Sequence, residues 1–175
     1  MFEIDVHAIS RPEVRVFYML FWEQRRILRD FFHRLPAEQY DFRMVDRPDR
    51  QADTPRQSLA HILETQHIFL RGVRSGVLRF ADSGVAHLYD LEKEALLAEL
   101  ERLDREMYAL LTHAAFDSTA TVQAPWGELD ALNLLYFLRD HDILHIGWNL
   151  ALMDHLALPR YASLNQYWGS GEEEE

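Results

Sequence analysis

Two histidines spaced four residues apart, His141 and His145, offer the clearest chemistry in this chain. In an α-helix this spacing leaves the imidazoles about 40° apart around the axis and one turn apart along it, so both can bind one transition-metal ion. Steps of three and four residues connect them to Leu138 and Trp148, which places them on the face that a bundle turns inward. The pattern predicts a buried metal site, and the alternative is two core histidines bonded to carboxylates or water.

A third ligand should come from another helix, and the second helical stretch offers His61 and His67. The six residues between them correspond to about 120° around a helix, so one ion does not easily take both. Glu64 lies one turn from His61 and is a candidate ligand, imidazole partner or catalytic proton-handling group, with a solvated carboxylate as the alternative. Leu59 and Leu63 mark a face nearly opposite His61, and periodicity leaves open which face points to the bundle axis.

The composition narrows the chemistry of such a site. The chain contains no cysteine, which excludes disulfides, thiolate ligands and a protein thiol nucleophile. A metal must therefore be held by imidazole and carboxylate, and thiol chemistry would need an external low-molecular-weight thiol. A net charge of −11 repels phosphate backbones, so we expect a small-molecule substrate and no nucleic-acid partner.

Length and hydropathy indicate one soluble domain. With 175 residues, 48% of them hydrophobic, the chain can bury one core. We assign residues 1–170 to a single domain and residues 171–175 to an acidic tail. The sequence has neither a signal peptide nor an apolar run of membrane-spanning length, which predicts a cytoplasmic protein with no membrane partner.

Four long helical stretches, at about residues 11–33, 55–79, 90–113 and 130–155, predict an all-α fold. Thr54, Pro55 and Gln57 form a capping-box signature where the second stretch begins. Residues 119–128 alternate β-branched and other side chains and contain a Pro-x-Gly turn, which predicts a short extended excursion. We therefore expect a four-helix bundle with long inter-helix connections, and apolar residues on more than one side of the helices predict a homodimer.

Two motifs resemble those of the DinB/YfiT-like superfamily. Residues 58–66, SLAHILETQ, resemble the family's pattern on helix two, and residues 141–148, HDILHIGW, resemble its HxxxH pattern on the last core helix. Residues 158–169 are similar to the family's tail, so the resemblance covers nearly the whole chain. The order and separation of these motifs contribute most to its specificity.

The resemblance implies a metal-binding four-helix bundle, usually dimeric, with a site formed by His61, His141 and His145. It favours His61 over His67, whereas Trp148 stands where the family often has a smaller polar residue. Family members include transferases and isomerases that use thiols such as bacillithiol or mycothiol. The expected function is a metal-dependent S-transferase or hydrolase that uses zinc, nickel, iron or manganese.

Two other functions are compatible with the same residues. The first is a non-catalytic, dimeric metal-binding stress protein. The second is a dinuclear carboxylate centre, because residues 64–67 read Glu-x-x-His and residues 142–145 read Asp-x-x-His. That centre would need two more inward carboxylates, for which Glu23 and Glu101 are generic candidates. For Asp142, as for Arg71 and Arg74, we expect ordinary solvation rather than a functional role.

Overall fold

Four long helices joined by long connections form a bundle in the computed structural model, which describes residues 4–81 and 83–168. The predicted all-α four-helix bundle is confirmed. The predicted acidic tail, residues 171–175, lies outside the described residues, as does residue 169 of the family-like tail segment. The helices are α1 (Pro12–Arg34), α2 (Pro55–Ser75), α3 (Lys93–Thr112), α4 (Ala131–His155) and the short α5 (Ala162–Trp168).

Both ends of α2 follow from local sequence. The capping box is present, because the Gln57 amide donates to Thr54 Oγ1 at 3.2 Å and the Thr54 amide donates to Gln57 Oε1 at 3.1 Å. The helix ends at Ser75 rather than near residue 79, because Gly76 adopts a left-handed φ of 73°. Similarly, α3 begins at Lys93 instead of Asp90, since Ala86–Asp90 forms a separate 3-10 helix.

The predicted extended excursion is a β-hairpin between α3 and α4. Strands β3 (Thr121–Ala124) and β4 (Gly127–Asp130) pair antiparallel around the Pro125-Trp126 turn. Gln123 links the hairpin to the end of α2, because its carbonyl accepts the Leu78 amide and its amide donates to the Gly76 carbonyl, both at 2.8 Å. The hairpin thereby fixes the start of α4 relative to α2. Another short ribbon, β1 (Asp46–Arg47) with β2 (Arg50–Gln51), lies between α1 and α2.

Helix α2 is buried on most of its circumference. Both of the faces considered in the sequence analysis are therefore packed against other parts of the protein. Leu59 and Leu63 are fully buried on one face, while Thr65 and Ile68 on the opposite face are 6% and 4% exposed. The helix contacts α3, α4, the Ala86–Asp90 3-10 helix and β3, whereas α1 contacts α4, α3 and α5. No helix within residues 4–81 and 83–168 is long and apolar enough to cross a membrane.

Candidate metal centre

Three histidines from two helices meet where α2 packs against α4. His141 Nε2 lies 3.1 Å from His61 Nε2 and 3.2 Å from His145 Nε2. One ligand atom from each residue can be chosen so that all three lie within 4.8 Å of one another. The i, i+4 spacing on α4 thus brings two imidazoles together as predicted, and α2 supplies His61 rather than His67.

The spacing of these nitrogen atoms is compatible with a tetrahedral metal ion. Metal–nitrogen bonds of about 2.0–2.1 Å at tetrahedral angles separate two ligand nitrogens by about 3.3 Å. The observed separations of 3.1 and 3.2 Å are close to that value. Without a cation, His141 Nε2 cannot satisfy both neighbours well, because this nitrogen has either one proton to donate or one lone pair to accept with. The donor set therefore suits a divalent transition metal.

Ser58 sets the orientation of His145. The Ser58 hydroxyl lies 2.8 Å from His145 Nδ1, where it can accept the Nδ1–H hydrogen bond that leaves Nε2 free to bind a cation. Burial, followed by the proximity of His141 and His61, lowers the pKa of His145 to about 4. Burial and His141 also lower the pKa of His61, although Glu64 and Asp53 partly oppose this. Near pH 7, His61 and His145 are therefore neutral, which is the form that binds metals.

The histidines are less buried than the seam pattern predicts. His61, His141 and His145 are partly exposed, and the His141 side chain retains 20% of its accessible surface. A cavity of about 300 Å³ opens beside His145. Leu144 and Trp148 line this cavity with Ala52, Asp53, Ser58 and His145. The face of α4 that carries the histidines therefore faces a space where a small molecule can approach.

Behind the histidines lies a cluster of buried charges that the sequence analysis did not predict. Arg25 Nη1 is 3.4 Å from Asp142 Oδ2, and Arg25 Nε is 3.2 Å from Asp104 Oδ1. All three side chains are 0% exposed, and Arg25 also donates to Gln66 Oε1. Solvation of Asp142 was the wrong expectation, because its side chain lies between α4 and α1 instead of on the surface. We call Arg25, Gln66, Asp104 and Asp142 the arginine cluster.

The arginine cluster approaches the histidine cluster where Asp142 lies next to His141. Asp142 Oδ1 lies 3.9 Å from His141 Nδ1, and neither atom has a hydrogen-bond partner among the described residues. Burial raises the pKa of Asp104 to about 6, although Arg25 and Arg29 act in the opposite direction. A signal for this cluster existed in the sequence, since Arg25 interrupts an otherwise apolar face of α1, but the spacing named no partner.

Other candidate residues lie elsewhere. His67 Nε2 is 2.6 Å from Glu99 Oε1, outside the histidine cluster. Arg74 pairs with Glu106, and Arg71 donates to the Ser83 carbonyl at 3.1 Å. The two carboxylates considered for a dinuclear centre are engaged by arginines, Glu23 by Arg26 at 3.0 Å and Glu101 by Arg105 at 2.8 Å.

Glu64 is one turn beyond His61 but does not belong to the three-histidine group. Its Oε2 accepts a hydrogen bond of 2.8 Å from the Tyr89 hydroxyl. Burial and this contact with Glu64 raise the pKa of Tyr89, so the phenol remains a donor at neutral pH. Sequence periodicity could not predict this pair, because Tyr89 lies in the Ala86–Asp90 3-10 helix and approaches α2 only in the folded chain.

Fold and site together define a four-helix bundle with a candidate three-histidine metal centre. A model of the DinB superfamily matches residues 20–148, and the chain therefore belongs to the DinB superfamily, as its motifs predicted. The fold is similar to the crystal structure of a DinB-like protein from Bacillus subtilis, with a TM-score of 0.59. That likeness covers 82% of this chain and 95% of the other at 15% sequence identity, so it concerns the fold alone. No curated protein matches the sequence significantly.

Proposed function

We propose that this protein is a metal-dependent enzyme in which His61, His141 and His145 bind one divalent transition-metal ion. The observation that carries this proposal is the convergence of three histidines from two helices, with one ligand nitrogen of each within 4.8 Å of the other two. Three protein ligands leave positions open on an ion that prefers four or more, as catalytic sites require. Zinc, nickel, iron and manganese all accept such a donor set.

Neutral ligands determine the chemistry that we expect. A divalent ion bound by three imidazoles keeps its full charge and lowers the pKa of a bound water or thiol towards neutrality. With Ser58 Oγ accepting the Nδ1–H of His145, the Nε2 lone pair of this imidazole would be directed at the site. A small rotation of either side chain would allow His141 Nδ1–H to donate to Asp142, which Arg25 holds in place. Glu64, positioned by Tyr89, is the candidate proton acceptor.

For the reaction, we propose nucleophilic transfer or hydrolysis on a small-molecule substrate. The cavity of about 300 Å³ beside His145 is at the lower end of the range for small-molecule sites. Leu144 and Trp148 give it an apolar wall against which a substrate can exclude water. Since the chain has no cysteine, an S-transferase would need an external low-molecular-weight thiol.

The first test is the metal content of protein purified without an affinity tag or added metal. We expect about one divalent ion per chain on elemental analysis. His61→Ala, His141→Ala and His145→Ala should each abolish stoichiometric binding, while the matched control His67→Ala should retain it. Loss of binding in His67→Ala together with retention in His61→Ala would overturn the ligand assignment.

The second test concerns activity. Protein loaded with zinc, nickel, iron or manganese is assayed for electrophile conjugation with glutathione, bacillithiol and mycothiol, and for ester and amide hydrolysis. We expect one of these activities, and its loss in His145→Ala. Equal activity in that variant would reject a metal-based mechanism, and no activity with any metal would favour the non-catalytic metal-binding alternative.

We also propose that the protein is a homodimer. Large apolar side chains remain exposed on α1 and α4, among them Val16 at 53%, Met19 at 51% and Leu144 at 73%. Light scattering at micromolar concentration should give twice the chain mass of 20.7 kDa. A monomer mass would disprove the dimer and leave the metal proposal untouched.

A further inference from the structure

A second cavity, of about 460 Å³, lies between α1 and α5, outside the metal centre and the cavity beside it. Its lining differs from that of the cavity beside His145, because it contains more cationic than acidic side chains. From α1 it includes Arg26, Arg29, Asp30 and His33, and from α5 it includes Ser163 and Gln166. No part of the proposed metal chemistry uses these residues.

Three of the lining residues contain buried polar atoms without partners. Arg26 Nε, Arg29 Nη1 and Ser163 Oγ have no hydrogen-bond partner within residues 4–81 and 83–168. Ser163 is only 7% exposed, and the Arg29 side chain only 12%. Each of these three atoms can donate a hydrogen bond, and unsatisfied buried donors are uncommon because each costs stability. Three such donors belong to residues that line one cavity, and this lining suits a ligand rich in acceptor oxygens.

Nearby carboxylates neutralise these arginines only in part. Arg26 Nη2 pairs with Glu23 at 3.0 Å and also donates to Gln166. Arg29 Nη1 is 3.9 Å from Asp104, too far for a hydrogen bond, and its guanidinium lies over the Trp22 ring at 5.4 Å. Asp104 is already shared with Arg25. Arg29 therefore retains hydrogen-bonding capacity for an anion.

Apart from Asp30, the remaining charged groups around the cavity have other roles or are neutral. Lys93 Nζ donates to the carbonyls of His33 and Leu35 and so caps the end of α1, and Arg34 stacks on Tyr161. Burial, Arg29 and Lys93 lower the pKa of His33 against the effect of Asp30 and Glu101, so this imidazole is neutral at pH 7. Asp30 is the one acidic residue among the described lining residues.

We propose that this cavity binds a small molecule through a phosphate or carboxylate group, held by Arg26 and Arg29 with Ser163 as a further donor. The planar fork of a guanidinium matches both oxyanions in a bidentate way, which an ammonium group does not. A volume of about 460 Å³ exceeds what a bare oxyanion needs and leaves room for a small organic body. The cavity lining contains two arginines and one aspartate, whereas the whole chain has a net charge of −11.

Binding is tested on the full chain after chelator treatment and dialysis, so that no metal at the histidines can bind the anion. The probes are inorganic phosphate, glycerol 3-phosphate and succinate, with glycerol as the uncharged control. Calorimetry gives the affinity, and the Nε–H signals of Arg26 and Arg29 in ¹⁵N NMR spectra report the location. We expect at least one oxyanion to bind with a submillimolar Kd and to shift these signals, whereas glycerol does not. The class of probe that binds more tightly, phosphate or carboxylate, identifies the group that the cavity recognises.

Variants separate this site from general charge effects. Arg26→Gln should weaken binding about tenfold or more, since it removes a charged donor, and Ser163→Ala should weaken it about threefold to tenfold. The matched control, Arg105→Gln, removes an exposed arginine that also pairs with a glutamate on its own helix, and should bind as the wild type does. Without ligand, Ser163→Ala should melt no lower than the wild type, because it deletes an unsatisfied hydroxyl.

Two results would overturn the proposal. One is a result in which no oxyanion binds at concentrations up to about 10 mM. A Kd above that value would be weaker than two charged contacts typically give. The other is wild-type affinity in both Arg26→Gln and Ser163→Ala. Neither result affects the metal proposal, because the experiment uses metal-free protein and variants distant in sequence from the three histidines.

Discussion

The histidine cluster and the arginine cluster are both polar groups inside a helical bundle, yet they differ in charge and in access. The three histidines are partly exposed and lie next to a cavity of about 300 Å³, and burial lowers the pKa of His61 and His145. Arg25, Asp104 and Asp142 are charged, completely buried, and paired with one another. The histidine cluster is accessible from the cavity, whereas the arginine cluster is enclosed in the core and held by ion pairs between its members.

This difference assigns the two clusters to different roles. A buried ion network joins α1, α3 and α4, and the loss of one member would leave an uncompensated charge in the core. The histidines contribute no such network, so their substitution should alter ligand binding more than folding. His141 and Asp142 are consecutive residues on α4, and the helix therefore directs neighbouring side chains into the two clusters.

The largest effect on stability should follow from removal of the arginine from the arginine cluster. Arg25→Ala leaves Asp104 and Asp142 buried without their shared cation, and we expect it to lower the free energy of unfolding by about 3–5 kcal/mol. Urea denaturation of the metal-free protein measures this. Arg105→Ala, whose arginine is 52% exposed, should change it by less than about 1 kcal/mol. Equal losses in the two variants would remove the structural role that we give to the buried cluster.

Removal of a histidine from the histidine cluster should have the opposite effect, with a large change in metal affinity and a small change in stability. His145→Ala should reduce metal affinity by at least about a hundredfold, because it deletes a ligand rather than a group that supports one. In metal-free protein the same variant should lower the free energy of unfolding by less than Arg25→Ala does. Metal titration and urea denaturation on one sample provide both numbers. A larger loss of stability than in Arg25→Ala would mean that the histidines are core residues.

An intermediate effect is expected for the group that orients His145. Ser58→Ala removes the acceptor 2.8 Å from Nδ1, and we expect metal affinity to fall about tenfold. Competition with a chromophoric chelator measures the change. The control is Ser75→Ala at the far end of α2, which should leave affinity unchanged. Unchanged affinity in Ser58→Ala would show that packing alone orients the imidazole.

The smallest effect concerns the partly exposed ion network around His67. A hydrogen bond from Arg102 lowers the pKa of Glu99 below its ordinary value, despite burial, and His67 contributes further lowering. Because the folded-state pKa is the lower one, this stabilisation is present above the unfolded-state pKa of about 4.3 and is lost as the pH falls through the folded-state value.

Glu99→Gln should therefore reduce stability by about 0.2–1 kcal/mol at pH 6 and have less effect at pH 3. Urea denaturation at the two pH values provides the test, with Glu101→Gln as a control glutamate that pairs with Arg105 on the same helix. A Glu99→Gln effect that grows as the pH falls would reverse the sign and disprove the assignment. A loss as large as that of Arg25→Ala would mean that exposure does not distinguish the two ion networks.

Several features could be predicted from the sequence because they depend on near neighbours along the chain. Three features follow from the conformation of a few consecutive residues: the capping box at Thr54, the extended excursion predicted at residues 119–128, and the shared face of His141 and His145. Propensities and periodicity report such local geometry directly. The end of α2 at Ser75 was missed, although Gly76 was a readable stop signal.

Other features were decided by the tertiary structure, because they require helices that are distant in sequence to pack. Both His61 and His67 lie on α2, and periodicity alone did not distinguish them. The contact with α4 places His61 near the histidine pair, while His67 lies beside Glu99. The pairing of Arg25 with Asp104 and Asp142 joins three helices. A single sequence carries the residue types but not the partners, since burial and proximity arise only when the bundle closes around them.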